Sequence, residues 1–456
     1  MTASRILTFP AAIGLAAALG CCWAYASDPS PSPQEIARDT PTFRAPAEPP
    51  GKEASEEPLA PEPVGPLALQ DALALALMRN PELVVFSWET RASEARALQA
   101  KKVPNPELDV RVYRLGIPRG SIEAEDKRSR VVLSQVLELG GKRKRRFDLA
   151  RTERSLAEWD YEAKRIEVAA VVAARFVEVL GAQRRVESLR QFVEFFEEMQ
   201  EKVSRFVASG SMRSVETHQT QRQVGLARID LQRAEAELSA ARLRMAATWG
   251  SQSPRFTEAV GDLEQATTIP DIDTVIELAQ EGPAIARWDA EFARGEAALA
   301  VAKSGRVPDV RAGAGVRWQQ HTDERDYLID LEIDLPLFDR KQGDIREARY
   351  EMAKAESGRR AAEAEAADLI AEFYYLLVEA DARRSTLSRE VLPAARATFE
   401  AHRLGFDRQA ENLGDLLDAR RDLARAEVDY TDALVDYHQA LATLEGIVGQ
   451  SLTAAE

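Results

Sequence analysis

Hydrophobic spacing along this chain switches between two registers, and the switch occurs twice. Leu69, Ala72, Leu73 and Ala76 recur at helical spacing until Asn80-Pro81, where proline removes an amide proton and biases the preceding residue away from helix. A second helix is predicted over 81–101, ending at Pro104-Asn105-Pro106. The period then drops to two: Leu108, Val110 and Val112 alternate with Asp109, Arg111 and Tyr113, and a return run covers 131–139. After two helices over 271–280 and 283–302 the alternation returns. Val310, Ala312, Ala314, Val316 and Trp318 alternate with Arg311, Gly313, Gly315 and Arg317. Tyr327, Ile329, Leu331, Ile333 and Leu335 then alternate with Asp330, Glu332 and Asp334.

Fixed offsets show that this is a duplication. Pro81 and Pro106 recur as Pro283 and Pro308, and Ala227, Asp230, Ala234, Ala241 and Gly250 recur as Ala426, Asp429, Ala433, Ala440 and Gly449. Each hairpin is followed by long helical stretches. Residues 144–207 contain no proline and only Gly181, enough for roughly 96 Å of helix at 1.5 Å per residue. Val172, Val179, Val186 and Val193 stand seven apart, with Val168, Leu189 and Phe196 beside them, the seam of a coiled coil. A membrane helix is excluded there, since the most apolar window, 168–180, is short and carries Arg175 and Glu178.

Partner helices are predicted over 212–249, 344–403 and 412–448, with Pro393 expected to kink the second of these. The small residues Ala355, Gly358, Ala362 and Ala366 would permit close helix approach. The hairpin strands are about ten residues long, the length of tilted membrane-crossing β-structure. Alternation alone equally describes a half-buried hairpin on a soluble domain.

Composition narrows the class. Charged residues make up 30% of the 456, aromatics 7%, and the net charge is −15. That balance suits long solvated helices and disfavours nucleic acid as a partner, because phosphate binding needs a basic stripe. Arg5, the apolar run 6–20 and Ala24-Tyr25-Ala26 read as an export signal over 1–26. A competing reading ends the signal at residue 20 and makes Cys21 a lipidated N-terminus. A proline-rich linker is expected over 27–66, a first repeat over 67–250, a connector over 251–270, a second repeat over 271–449 and a tail over 450–456.

Reactive chemistry is sparse. The histidines are His218, His321, His402 and His438, none at metal-ligand spacing from another, and the cysteines are Cys21 and Cys22. His438 reads as an ordinary packed or surface residue and His321 as a solvated loop. No catalytic constellation or phosphate loop is present, so neither an enzyme nor a cofactor is expected. The basic run Lys142-Arg143-Lys144-Arg145-Arg146, where a strand returns into the long helix, reads either as a solvated junction or as a contact with anionic lipid headgroups.

Several strings resemble the TolC family of outer-membrane efflux channels. They include Leu69-Gln70-Asp71-Ala72-Leu73 with Asn80-Pro81, Val103-Pro104-Asn105-Pro106-Glu107-Leu108, and Leu137-Glu138-Leu139-Gly140-Gly141-Lys142-Arg143. Ala426-Glu427-Val428-Asp429-Tyr430 is another, and Leu335-Pro336-Leu337-Phe338-Asp339-Arg340-Lys341-Gln342-Gly343 resembles the CzcC-like heavy-metal branch. The resemblance implies a mainly α fold with a small β part. Long coiled-coil helices would form a periplasmic tunnel, and two transmembrane hairpins, four strands per chain, would complete a shared barrel in a homotrimer.

It further implies a cell outer membrane location, contact with outer-membrane lipid, a periplasmic adaptor and an inner-membrane pump of the resistance-nodulation-division type. In such a trimer Asp330, Glu332 and Asp334 are candidates for acidic rings in the barrel lumen. Asp415 and Asp418 are candidates for the periplasmic gate, and Gly210, Arg213, Ser214 and Gly405 for adaptor-contacting tips. The gap from Gly405 to Leu416-Leu417-Asp418-Ala419 is longer than the family's usual spacing. The alternatives are a periplasmic coiled-coil scaffold without a membrane part, or an exit duct for organic toxins or proteins.

Overall fold

The computed structural model describes residues 62–112, 128–265, 267–319, 324–408 and 410–452. The signal segment, Cys21, His321 and most of the linker lie outside them. The chain begins with β1 (Gly65–Ala68), α1 (Leu69–Arg79) and α2 (Pro81–Ala100), followed by β2 (Glu107–Val112), β3 (Arg128–Leu137), α3 (Lys142–Ala208) and α4 (Ser214–Ala247). After β4 (Phe256–Val260) the order repeats as α5 (Ile272–Gln280), α6 (Pro283–Ser304), β5 (Val310–Gln319), β6 (Glu324–Ile333) and α7 (Gln342–Thr386). A π-helical turn (Leu387–Val391) leads into α8 (Leu392–Asp407), and α9 (Leu413–Val448) closes the second half.

Asn80 shows why the short first helix stops where it does. Its side-chain Oδ1 accepts from the amides of Glu82 at 2.9 Å and Leu83 at 3.1 Å, capping α2, while its Nδ2 donates to the Thr248 carbonyl at 2.8 Å. The cap therefore also ties the start of α2 to the end of α4. Pro81, at the first position of α2, gives up only an amide that would be orphaned anyway.

The residues that betray the duplication touch one another. Gly250 (φ +77°) lies against Pro81, and Gly449 (φ +79°) against Pro283, so each half closes its long helix pair onto the proline opening its own short helix. A Cβ on Gly250 would stand 3.3 Å from Pro81 Cγ, whereas one on Gly449 would overlap Pro283.

At 67 residues, α3 is about 100 Å long and organises the rest. Val172, Val179, Val186, Val193, Val168 and Phe196 are all buried along its seam, with Leu189 partly covered. Each such side chain stabilises the packing by roughly 1.5–3 kcal/mol. The small-residue stripe on α7 does bring helices close: Ala355 is buried, and a Cβ on Gly358 would overlap the Trp288 ring of α6.

Three expectations need correction. Gly65 and Pro66, assigned to the linker, belong to β1, which pairs in parallel with β4 inside the supposed connector. Gln183 of α3 takes the place of a third strand for β4: its Nε2 donates to the Ala259 carbonyl at 2.9 Å and its Oε1 accepts the Ala259 amide at 2.7 Å. The helix predicted to end at 403 runs on to Asp407, and the missing amide of Pro393 is accommodated by the wider turn just before it.

β2, β3, β5 and β6 form one antiparallel sheet in that order. Both outer strands, β2 and β6, have a partner on one side only. Because strand and helix meet at the same end of every strand, the sheet caps one end of the helical stack and the helix turns lie at the other.

Gly449→Ala combines a strained positive φ with overlap onto Pro283, and should cost about 2–4 kcal/mol. Gly250→Ala, with its looser contact, should cost about 1 kcal/mol. Denaturant unfolding of the two variants checks the order.

Candidate functional site

The sheet is inside out compared with that of a water-soluble protein. On one face Leu108, Val110, Val112, Leu133, Tyr327, Ile329 and Leu331 are exposed, Ile329 by 90%. The opposite face carries the charges and is the more sheltered one. The ladder places Arg111, Arg130, Arg317 and Asp326 in one row, Glu107, Ser134, Gly313 and Asp330 in another, and Val136, Arg311 and Glu332 in a third. Between them Val132 is buried under Gly315, where a Cβ would overlap the Val131 carbonyl. Glycine is required there because the strands approach so closely.

This pairing sorts the acids named from sequence. Glu332 lies 3.6 Å from Arg311, which also pairs with Glu107, while Asp109 holds Arg111 at 3.0 Å and Arg130 at 3.3 Å. Asp330 faces Gly313, which offers no side chain, and among the described residues has no cation within 4 Å. Asp334 lies just past the end of β6. The charged face is thus a mixed ladder: Glu107, Asp109 and Glu332 have arginine partners, whereas Asp326 and Asp330 have no cation within 4 Å among the described residues. The arginines were overlooked in the sequence although their even spacing in the hairpins already placed them on the acids' face.

At the far end of the helices the two turns lie side by side. Phe206 and Phe406 rings stand 6.4 Å apart, and Lys202 of α3 pairs with Asp407 of α8. Gly210 (φ +75°) makes the first turn, and the amide of Ser211 reaches back to the Phe206 carbonyl at 2.9 Å. Arg213 caps α4 from an exposed position and holds Glu216 at 2.8 Å, and Ser214 opens the helix.

Gly405 is not a turn residue: it lies within α8, where a Cβ would stand 2.7 Å from Glu411 of the returning segment, and the Ala410 amide donates to its carbonyl at 2.9 Å. His402 also contacts Glu411. Asp415 sits in the first turn of α9, its amide donating to Asn412 Oδ1 at 3.0 Å, and exposed Asp418 pairs with Arg421 at 2.8 Å.

Between sheet and tips, Leu263, Glu264 and Thr267 are strapped onto α9. His438 Nε2 meets the Leu263 carbonyl at 2.9 Å, and Tyr437 Oη accepts from the Thr267 amide and donates to its carbonyl, both at 3.0 Å. Burial lowers the His438 pKa, so the ring is a neutral packed residue. Tyr430 donates to Glu264, which Arg184 holds at 2.7 Å. Burial and that hydrogen bond push the Tyr430 hydroxyl up to about 12. Burial raises Glu264, but the Tyr430 hydroxyl and Arg184 outweigh it and hold the carboxyl below its ordinary 4.5.

No group of His, Cys, Asp and Glu that could hold a metal ion occurs among the described residues, and no helix there is long and apolar enough to cross a membrane.

An apolar-out sheet open at both edges, continued by helices about 100 Å long, is the architecture of an outer-membrane channel subunit. The chain belongs to the outer membrane efflux protein family, whose model matches residues 72–251 and 275–450. It is 31% identical over 392 residues to the cobalt-zinc-cadmium resistance protein CzcC of Cupriavidus metallidurans, spanning 85% of this chain and 91% of that protein. It is 26% identical over 296 residues to the nickel and cobalt resistance protein CnrC of the same bacterium, 65% of this chain and 69% of that one. Its fold matches the open outer membrane channel MtrE of Neisseria gonorrhoeae with a TM-score of 0.69 at 18% identity, over 84% of this chain and 89% of that one. The resemblance to efflux channels and to their CzcC-like heavy-metal branch therefore holds.

Because the folded pKa of Glu264 is depressed, its stabilisation is complete above the ordinary 4.5 and fades as the pH falls through the lower folded value. Glu264→Gln should flatten the acid limb of a melting-temperature profile below about pH 4.5 and leave the neutral region nearly parallel to wild type.

Proposed function

We propose that this chain is the outer-membrane channel subunit of a tripartite efflux assembly. Three copies join β6 of each to β2 of the next and close one barrel in the outer membrane, with the helices prolonging it through the periplasm. The observation that carries this reading is the combination of an exposed apolar sheet face with two unpaired edges. Open edges in lipid leave amides and carbonyls unsatisfied, so the sheet must be completed by further strands. A scaffold confined to the periplasm would leave that apolar face in water.

The similarity to CzcC and CnrC favours divalent heavy-metal cations as the cargo. Among the described residues there is no ligand set with which to select them, and the chain is read as a passive duct, with selection falling to an inner-membrane pump of the resistance-nodulation-division type. A periplasmic adaptor would meet the paired tips, with Gly210, Arg213 and Ser214 on one and the Gly405 segment on the other. Asp415 and Asp418, at the start of α9, are candidates for the ring that narrows the periplasmic entrance.

Heat-modifiable trimers that fractionate with outer membrane and conduct ions in planar bilayers are the expected result. A soluble monomer or dimer in periplasmic extract would exclude the assignment. Asp330→Asn removes three uncompensated charges from the assembled wall and should lower the cation-to-anion permeability ratio by roughly two- to fivefold. Arg311→Gln releases Glu107 and Glu332 and should raise it; equal reversal potentials for both variants and wild type would count against the lumen assignment. Arg213→Glu at the start of α4, combined with Arg408→Glu at the C-cap of α8, puts an acid on each tip and should abolish metal resistance in complemented cells without loss of trimer. Unchanged resistance would exclude the tips as the adaptor contact.

A further inference from the structure

The strand–helix junction carries a charge pattern that the channel function does not require. Four chain segments meet there. Leu139 N–H donates to Asp309 Oδ1 at 3.1 Å, Gln135 Nε2 donates to the Pro104 carbonyl at 2.9 Å, and Arg306 Nε donates to the Arg340 carbonyl at 3.3 Å. Some of the bases in this layer are neutralised within it: Arg146 by Glu138, Lys142 by Asp309 at 2.8 Å, and Lys341 by Asp339 at 3.4 Å and Asp344 at 3.6 Å. Arg143, Lys144, Arg145, Lys303, Arg306 and Arg340 are exposed and, among the described residues, have no carboxylate within 4 Å.

A chain of net charge −15 thus gathers six such cations in one layer. The arrangement is also unfavourable within the fold. α3 starts at this layer with no acid in its first turn and no side-chain cap, so its basic run sits at the positive end of the helix dipole. α7 starts in the same layer, just after Arg340 and Lys341. α7 carries Asp344 in its first turn, so the uncompensated N-terminus is that of α3, and together with six unpaired cations it favours anions.

Exposed apolar side chains share the layer. Leu335 continues the outward-facing row of β6, and Leu337 and Phe338 follow it, Phe338 being 91% exposed. Cations beside protruding apolar groups, level with the end of a membrane-crossing sheet, match the chemistry of a leaflet boundary, where acyl chains meet phosphates.

We propose that this collar seats the anionic headgroups of acidic phospholipids in the leaflet facing the helices, with Leu337 and Phe338 inserted beside them. The assignment rests on the sheet spanning the outer membrane. The lipid phosphates offset the cations at the α3 N-terminus and fix the depth of the barrel relative to the tunnel.

The test uses the full-length detergent-purified protein, with phosphatidylglycerol and phosphatidylethanolamine of equal chain length as probes and native mass spectrometry as readout. Wild type should retain phosphatidylglycerol at least tenfold more tightly at low salt, since each surface cation contributes roughly fivefold toward an anionic lipid. The preference should shrink as salt rises, and inorganic phosphate at the same concentration should not displace the lipid. The variant R143Q/K144Q/R145Q/R340Q should lose the preference, and R143K/R145K/R340K should keep it.

Equal retention of both lipids by wild type, displacement by free phosphate, or an undiminished preference in the glutamine variant would overturn the collar. Planar-bilayer conductance of the same preparations separates the two readings. Conduction without lipid preference removes the collar alone, whereas absence of conduction by wild type removes the membrane-spanning reading and the collar with it.

Discussion

The backbone amides and carbonyls at the open edges of one four-stranded sheet constrain everything else in this protein. In water an edge strand is tolerable, but in hydrocarbon each unsatisfied polar group is costly. The side chains of β2 and β6 make water the wrong medium, since their apolar faces stand exposed and none of the described residues covers them. The only arrangement that satisfies both backbone and side chains is closure with other strands inside lipid. The sheet of one chain is thus an incomplete object, and the helices that hold it must be stable without its help.

That independence comes from the helices and the way they are locked. α3 spans the full length and buries its valine seam against its neighbours. Each half is also pinned near its middle by the proline–glycine contact that the duplication preserves, Pro81 on Gly250 and Pro283 on Gly449. The strap of Leu263, Glu264 and Thr267 on α9 lies in the same zone, where Tyr430, Tyr437 and His438 present polar tips to backbone and carboxylate. The fold is therefore tied at its waist, far from both the sheet and the tips.

Much of this was legible in the sequence because it depends on short periods. Alternation located all four strands, and seven-residue spacing located the α3 seam, since the same period governs which side chains share a face. Features built from distant residues left little trace. β1 and β4 are 4 and 5 residues long and pair across almost the whole first half, so neither shows a sustained pattern. Arg420 looks in sequence like any solvated helix residue. In the fold its guanidinium lies 5.3 Å from the Phe192 ring centroid and 5.7 Å from those of Phe195 and Phe399, buried where α9 crosses α3 and α8. The acids Asp330 and Glu332 were visible, but their different status was not. Only the strand register shows that one faces glycine and the other arginine.

The register carries a consequence for how such a duct handles cations. A lumen lined purely with acids would attract metal ions and also hold them, slowing exit. Here arginines answer Glu107, Asp109 and Glu332, while Asp326 and Asp330 stand without a paired cation among the described residues. Conduction needs attraction sufficient for entry yet weak enough for release. A wall of compensated pairs with a sparse acidic ring meets that need without any ligand geometry. A chain of this kind can therefore serve different cargoes with the same wall, and the chemistry that tells one metal from another must be sought upstream of it.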